Sequence, residues 1–373
     1  MINILYKTFA MKVAIVGGGI IGLFTAYHLR QQGADVVIIE QGEPGGWSKA
    51  AAGILEFTRF VINRINVRSY PKRYLSMALR GDARIKTWDW RWISAYLRAW
   101  GREPTQDMWE AIKTLGEYSW RQYRALAEAE NDFAYSEEPL YEVGIDVAAA
   151  LEEAKRDPLS PKVETGRCCG REALVYLDAA KLSTEDFVAR MLRELQGVQM
   201  VRRRAQEVAG REVWLEGGDV VKADAVVVAA GYWARKFGIP VAPFKGYGFR
   251  TTAKAQSMFI EMTKGVAVVP LPKWTKVTGR FDLDGTEDHS PSARVLQRAR
   301  EVLGNFEVLD MSVGYRPCTP DGFPIVDKVG EVVIVTGACR LGWTYGPALG
   351  KLAADLALGK PGVEALTARR FRR

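Results

Sequence analysis

A short apolar run at residues 12–16 empties directly into Gly17-Gly18-Gly19-Ile20-Ile21-Gly22, and this junction constrains the fold more than any other stretch of the chain. The spacing is G-x-G-x-x-G. A helical segment follows over residues 23–32, and Gly33 stands where a left-handed residue would end it. Residues 35–39 then read as a second buried strand, closed by Glu40. Gly17 permits the tight turn, Gly19 lets backbone approach a pyrophosphate, and Gly22 lets helix and strand pack closely. Ile20 and Ile21 lie just before the helix, whose free N–H groups and partial positive charge attract phosphate. Glu40 is placed to accept hydrogen bonds from a ribose diol and repels a 2′-phosphate. Strand, helix, strand and acid in register predict a βαβ dinucleotide-binding unit.

The glycines alone do not separate one dinucleotide from another. The stretch after Glu40 does: Gln41, then Pro44 through Ile54, holds Ser48, Ala51, Ala52, Gly53 and Ile54 in a run of small residues. Small side chains let backbone lie against a flat ring system such as an isoalloxazine. The cofactor expected is FAD rather than NAD.

The composition is that of an ordinary folded protein, with 48% hydrophobic and 26% charged residues among 373. Its formal charge of +8 is spread along the chain apart from a basic tail at Arg369, Arg370, Arg372 and Arg373. This reads as a solvated basic surface, and no nucleic-acid partner is expected. The longest apolar stretch, residues 13–29, is broken by glycines and is too short to span a bilayer. A cytoplasmic location is expected, with peripheral membrane contact left open. The four cysteines, Cys168, Cys169, Cys318 and Cys339, lack zinc-site spacing, and two histidines cannot complete one, so no metal is expected. A disulfide framework is not expected in so long and cysteine-poor a chain. Scarce asparagine and a preference for arginine over lysine hint at a thermophilic source. Residues 1–10, before Met11, read as an extension.

Residues 57–130 are rich in Trp, Tyr and Arg at helical intervals and read as several helices. A helix is expected at 182–195, begun by Ser183 or Thr184. A strand pair follows at Glu212–Leu215 and Val220–Lys222. The apolar run 225–229 ends in a glycine turn at Ala230-Gly231-Tyr232-Trp233. Alternation over 242–281 suggests an antiparallel sheet, and 292–302 another helix. The buried strand Val332–Thr336 leads to Gly337 through Pro347, with a helix expected from about Ala348 and Pro347 in its first turn.

Six motifs stand in order: GGGIIG with Glu40, SKAAAGIL at 48–55, VVVAAGYWA at 226–234, PFKGYG at 243–248, GYRPCTPDGFPIV at 314–326 and GACRLGWTYGPALG at 337–350. Across nearly the whole chain this resembles the D-amino acid oxidase superfamily of flavoproteins, most closely its branch of dye-linked D-amino acid and proline dehydrogenases. The resemblance implies an α/β fold: a Rossmann-like FAD domain of the glutathione-reductase type built from segments 11–60, 155–238 and 315–365. It implies a substrate domain, an antiparallel sheet with added helices, from 61–154 and 239–314; residues 366–373 would extend the C-terminus. It adds Gln206, Ala230, Gly231, Trp233, Arg316, Gly342, Trp343 and Thr344 to the cofactor contacts.

The same resemblance assigns the substrate carboxylate to Arg316, whose guanidinium offers a bidentate fork, and places Tyr247 in the substrate pocket. Left to the residues alone, Tyr247 could equally be a strand tyrosine packed in the sheet. Some relatives, the sarcosine oxidases, tie flavin to a cysteine a few residues before the matching Thr-Pro-Asp. No cysteine stands there, and Cys318 lies too close to Pro320, so non-covalent FAD is expected. The substrate sheet's glycine-rich strand appears as Val277-Thr278-Gly279-Arg280-Phe281, a poorer match.

The activity implied is oxidation of an amino or imino acid at the carbon bearing nitrogen, by hydride transfer to flavin N5, with Arg316 orienting the substrate. D-amino acids including D-proline come first. L-proline or hydroxyproline dehydrogenation, and oxidation of glycine, sarcosine or D-amino acids by oxygen, are the alternatives. The acceptor expected is a dye or quinone, and homo-oligomer formation is left open. A flavin protein serving tRNA modification is the reading from another class.

Overall fold

The computed structural model describes residues 10–371. The extension expected before Met11 falls outside them except for Ala10, as do Arg372 and Arg373.

The expected βαβ unit forms: strand Lys12–Val16, helix Ile20–Gln31, strand Asp35–Ile39. These strands run parallel with Val13 beside Val36 and Ile15 beside Ile38. They are central in a six-stranded sheet ordered Ile325–Val329, Val332–Thr336, Ala225–Val228, Lys12–Val16, Asp35–Ile39, Gln199–Val201. All neighbours are parallel except the edge strand Ile325–Val329. Strands buried on both faces must be almost wholly apolar, as Ala225–Val228 is and as Val332–Thr336 is up to its last residue. One face packs on helices Ile20–Gln31, Gln106–Ala129, Thr184–Glu194 and Gly342–Ala357, whose apolar sides form one core around Phe24, Tyr123, Phe187 and Leu349.

Helix Thr184–Glu194 begins as expected, its cap Ser183 accepting from the Asp186 N–H at 3.2 Å. The last helix differs. It begins at Gly342, and Pro347 lies inside it rather than in its first turn. A proline there cannot donate to the carbonyl of Trp343. The Tyr123 hydroxyl donates to that carbonyl instead, at 2.7 Å, so the helix continues without an unpaired acceptor.

A second, eight-stranded sheet runs in the order Val308–Cys318, Ala242–Thr251, Thr275–Leu283, Val266–Pro270, Phe259–Glu261, Leu140–Val143, Arg171–Tyr176, Val163–Cys168. One expectation needs correction here. The sheet is antiparallel as expected but for one pairing, Phe259–Glu261 beside Leu140–Val143, which is parallel. Strands Val163–Cys168 and Arg171–Tyr176 belong to this sheet rather than to the dinucleotide unit, joined through Leu140–Val143. The Arg316 strand also runs through the boundary expected at 315 and ends at Cys318.

His28 sits in the core between the first and last helices, its Nε2 3.1 Å from the Pro347 carbonyl. Burial holds its imidazole down at about 4, against an ordinary 6.5, with Lys351 opposing protonation further. The unfolded chain therefore takes up a proton between pH 6.5 and 4 that the folded chain refuses. Stability is full above that window and falls through it, by roughly 3 kcal/mol. Urea denaturation at pH 7 and pH 4 should show a smaller acid loss for His28→Gln than for wild type; parallel losses would contradict this assignment.

Candidate active site

The glycine turn forms one end of a cavity of about 560 Å³. Gly17 has φ +109, and a Cβ on it would stand 2.5 Å from the Ala229 carbonyl oxygen. A Cβ on Gly22 would run into the Gly17 carbonyl itself. Only glycines allow this packing. Helix Ile20–Gln31 has no acid in its first turn, so its positive end faces the cavity uncompensated. Ser48 Oγ accepts from the Ile20 N–H at 3.0 Å and ties the small-residue turn to that helix. The Glu40 carboxylate accepts from the N–H groups of Gly18 and Gly42, at 2.7 and 3.0 Å. Each of its oxygens keeps a further lone pair for a diol.

Gln41 and residues 203–208 extend this end; Gly246, residues 314–317 and residues 338–340 build the other. The two are joined by Ala229-Ala230-Gly231 and by Gly342 and Trp343 in the first turn of the last helix. The indole N–H of Trp343 donates to the Ser48 carbonyl at 2.9 Å, fixing that turn. A long cavity with pyrophosphate-compatible glycines, an acid beyond them and a second acid-free helix start fits FAD. Gly17, Gly19, Glu40 and the two helix ends would hold it.

At the far end the eight-stranded sheet supplies charge. A Cβ on Gly248 would come 2.5 Å from the Ala50 carbonyl oxygen, and one on Gly314 2.8 Å from that of Trp47. These glycines let the small-residue turn lie against the sheet. Opposite them the register slips: Lys245 faces Asp282 but Tyr247 faces Gly279. This is a β-bulge at the poorly matching stretch, with Arg280 at φ +68. The Arg280 carbonyl is thereby turned to accept from Arg316 Nη1 at 3.1 Å.

The guanidinium of Arg316 stands 5.6 Å from the centre of the Phe281 ring, and that of Arg340 4.1 Å from the same ring. Neither is ion-paired among the described residues. Burial, with the charge of Arg340, pushes Arg316 down to about 10. Arg340 is lowered in the same sense, first by desolvation of its guanidinium, although the residue as a whole stays more exposed than Arg316. Two cations crowded without a paired anion, since Asp282 is held by Arg280 and Glu56 by Arg59, are a site that a carboxylate would relieve.

Gly17, Gly19, Ile20, Ile21, Glu40, Gln41, Ser48, Ala51, Gln206, Ala230, Gly231, Trp233, Arg316, Gly342 and Trp343 line the cavity together. Gly22 acts one layer behind, at the helix–strand contact. Ala52, Gly53, Ile54 and Thr344 do not line it. Gly53 packs on the Leu182 carbonyl, and the Thr344 hydroxyl accepts from the Glu56 N–H at 3.2 Å. The pocket role expected of Tyr247 is corrected. Strand alternation turns it away from Gly246 and Gly248 into the core under the sheet, fully buried, with its hydroxyl 3.4 Å from the Asp288 carbonyl.

The sequence reading missed Arg340, although the residue lies inside a motif already singled out. It also missed that Cys318 and Cys339 form a disulfide, against the expectation for this chain. A third omission is a buried cluster: Arg59 donates to Glu56 and to Glu142, at 2.7 Å each, beneath the Tyr176 ring. Burial raises the Glu56 carboxyl despite Arg59.

Residues 12–356 match the model of the FAD dependent oxidoreductase family known as DAO. Among curated proteins, D-amino acid dehydrogenase 2 of Pseudomonas aeruginosa is 24% identical, over 93% of this chain and 94% of its own length. Among solved structures, glycine oxidase from Bacillus cereus superposes with a TM-score of 0.69 at 17% identity, covering 95% of this chain and 97% of its own. L-proline dehydrogenase from P. horikoshii gives 0.68 at 16% identity, over 98% of both chains. Such structural likeness establishes the shared fold.

Proposed function

The chain belongs to the FAD-dependent oxidoreductase family, and from that premise we propose that it is a dehydrogenase oxidising an amino or imino acid at the carbon bearing nitrogen. The observation that carries this reading is the pair Arg316 and Arg340, two guanidiniums without carboxylate partners flanking Phe281 at the cavity end. When bound, FAD supplies a two-electron acceptor at N5. Arg316 offers its fork to the substrate carboxylate while the Arg280 carbonyl steadies it, and Arg340 adds a second cation beside the same ring. The acids lining the cavity are Glu40 and Glu207, both at the dinucleotide end. Neither stands beside the arginines, and the nearby Asp282 and Glu56 are taken up by Arg280 and Arg59, so the substrate amine is proposed to enter as the free base.

D-amino acids including D-proline are the substrates proposed first, supported by the similarity to a D-amino acid dehydrogenase; L-proline is the runner-up. A dye or quinone is the proposed acceptor. The test is anaerobic bleaching of the flavin by a panel of D- and L-amino acids, both prolines, glycine and sarcosine. Each active compound is then assayed with a dye and with oxygen. Failure of every carboxylate-bearing amine to bleach the flavin would sink the proposal.

The FAD is proposed to be non-covalent, because Cys318 is engaged with Cys339 and has no free thiol for a flavin bond. Acid precipitation should leave the yellow colour in the supernatant. Colour retained in the washed pellet would contradict it.

A further inference from the structure

We propose that the Cys318–Cys339 disulfide is a positioning element of the substrate pocket, setting the spacing of Arg316 and Arg340. This rests on reading the two arginines as a carboxylate site.

Cys318 lies two residues beyond Arg316, at the end of strand Val308–Cys318, and Cys339 immediately precedes Arg340 in a short helical turn. The bond thus joins the two segments that carry the pocket's cations. Beside it the Asn63 side chain bonds the Gly322 and Ala338 carbonyls and the Arg340 N–H, at 3.3, 3.0 and 3.0 Å, holding the backbone of the turn but neither guanidinium. Their backbones meet in one isolated bridge, Cys318 to Ala338. The turn is irregular, with Gly337 at φ +84 and Cys339 at φ +48, a region non-glycine residues seldom occupy. The two guanidiniums repel each other beside Phe281, and neither is ion-paired among the described residues. A covalent tie beside both opposes the separation that repulsion favours when no substrate is bound.

The Trp92 indole N–H anchors the same corner by donating to the Cys318 carbonyl at 2.9 Å. Both sulfurs are buried, and Cys339 lines the cavity, so the bond sits in the pocket wall rather than on an outer surface. A disulfide serving stability alone could lie between any two segments. This one lies between the two cations that the substrate must bridge.

The experiment uses flavin-loaded protein. Thiol titration after unfolding without reductant should find only Cys168 and Cys169 free. Four reactive thiols would overturn the proposal at once. In the double variant Cys318→Ala/Cys339→Ala, kcat/KM should fall roughly tenfold to a hundredfold, mostly through KM, as for a misplaced binding group. Flavin affinity should stay unchanged. Should the variant fail to fold, wild type reduced with a dithiol replaces it. The S–S bond then takes two electrons and two protons to give two thiols, and the reagent closes to its own disulfide.

In an Arg340→Ala background, removing the cysteines should raise KM no further, because the spacing of two cations no longer matters. A purely structural bond would lower Tm, leave KM alone and act equally in both backgrounds, and that result would overturn the proposal. If Arg316→Ala and Arg340→Ala themselves leave KM unchanged, the carboxylate site is wrong. If they raise KM while cysteine removal does not, only the positioning role fails.

Discussion

Arg316→Ala is expected to lower kcat/KM for a carboxylate-bearing substrate by roughly 30-fold to a few thousand-fold, equivalent to ~2–5 kcal/mol for a lost buried charged contact. The loss should fall mainly on KM where the arginine only binds, and on kcat as well where it also aims the C–H bond. The side chain projects from the end of a long strand, steadied by the Arg280 carbonyl, and burial already holds it down at about 10. Arg316→Lys should recover only part of the loss, since a point charge cannot reproduce the bidentate fork. Arg340→Ala should cost less, because that side chain is more exposed. Steady-state kinetics with flavin content measured in parallel tests this. Near-wild-type efficiency in Arg316→Ala, with flavin retained, would remove Arg316 from the site.

Arg59→Met should cost about 3–5 kcal/mol of stability at neutral pH, the range for removing one partner from a buried ionic cluster. Arg59 stands between Glu56 and Glu142, and its loss leaves two carboxylates facing each other in the core. The Glu56 carboxyl is already raised by burial with the arginine present. Without it the Glu56 carboxyl should titrate higher still in the folded state. Groups raised in this way contribute stability below their unfolded value, and that contribution is lost as pH rises through the folded one. The deficit of the variant should therefore narrow between pH 7.5 and pH 5. The acid effect of His28 is common to both proteins and cancels in the comparison. Urea denaturation at the two pH values provides the measurement. A deficit constant with pH would show that the carboxylates are not its cause, and Arg59→Lys, which keeps a cation, should be the milder change.

The dinucleotide half was largely legible because its signals are local. Gly17 and Gly22 must be glycine wherever a strand turns this tightly into a helix, and Ser183 caps the helix that begins beside it. The last helix was legible in type but not in its start. Pro347 normally marks a first turn, and only the distant Tyr123 hydroxyl lets the helix begin at Gly342. On the substrate side, Arg316 was reached through its motif, whereas Arg340, in a motif equally conspicuous, was not. Nothing local shows that the two meet at Phe281. Tyr247 fared worst, since its motif neighbours Gly246 and Gly248 face the small-residue turn while strand alternation sends the tyrosine to the other side.

What the residues determined by themselves was the βαβ unit, the order of the motifs and the apolar strands of the parallel sheet, because each depends on groups a few positions apart. Only the folded molecule decided the arginine pair, the Cys318–Cys339 bond and the Glu56–Arg59–Glu142 cluster. Those contacts join segments far apart in the chain, and sheet order, strand face and one bulge choose which of them meet.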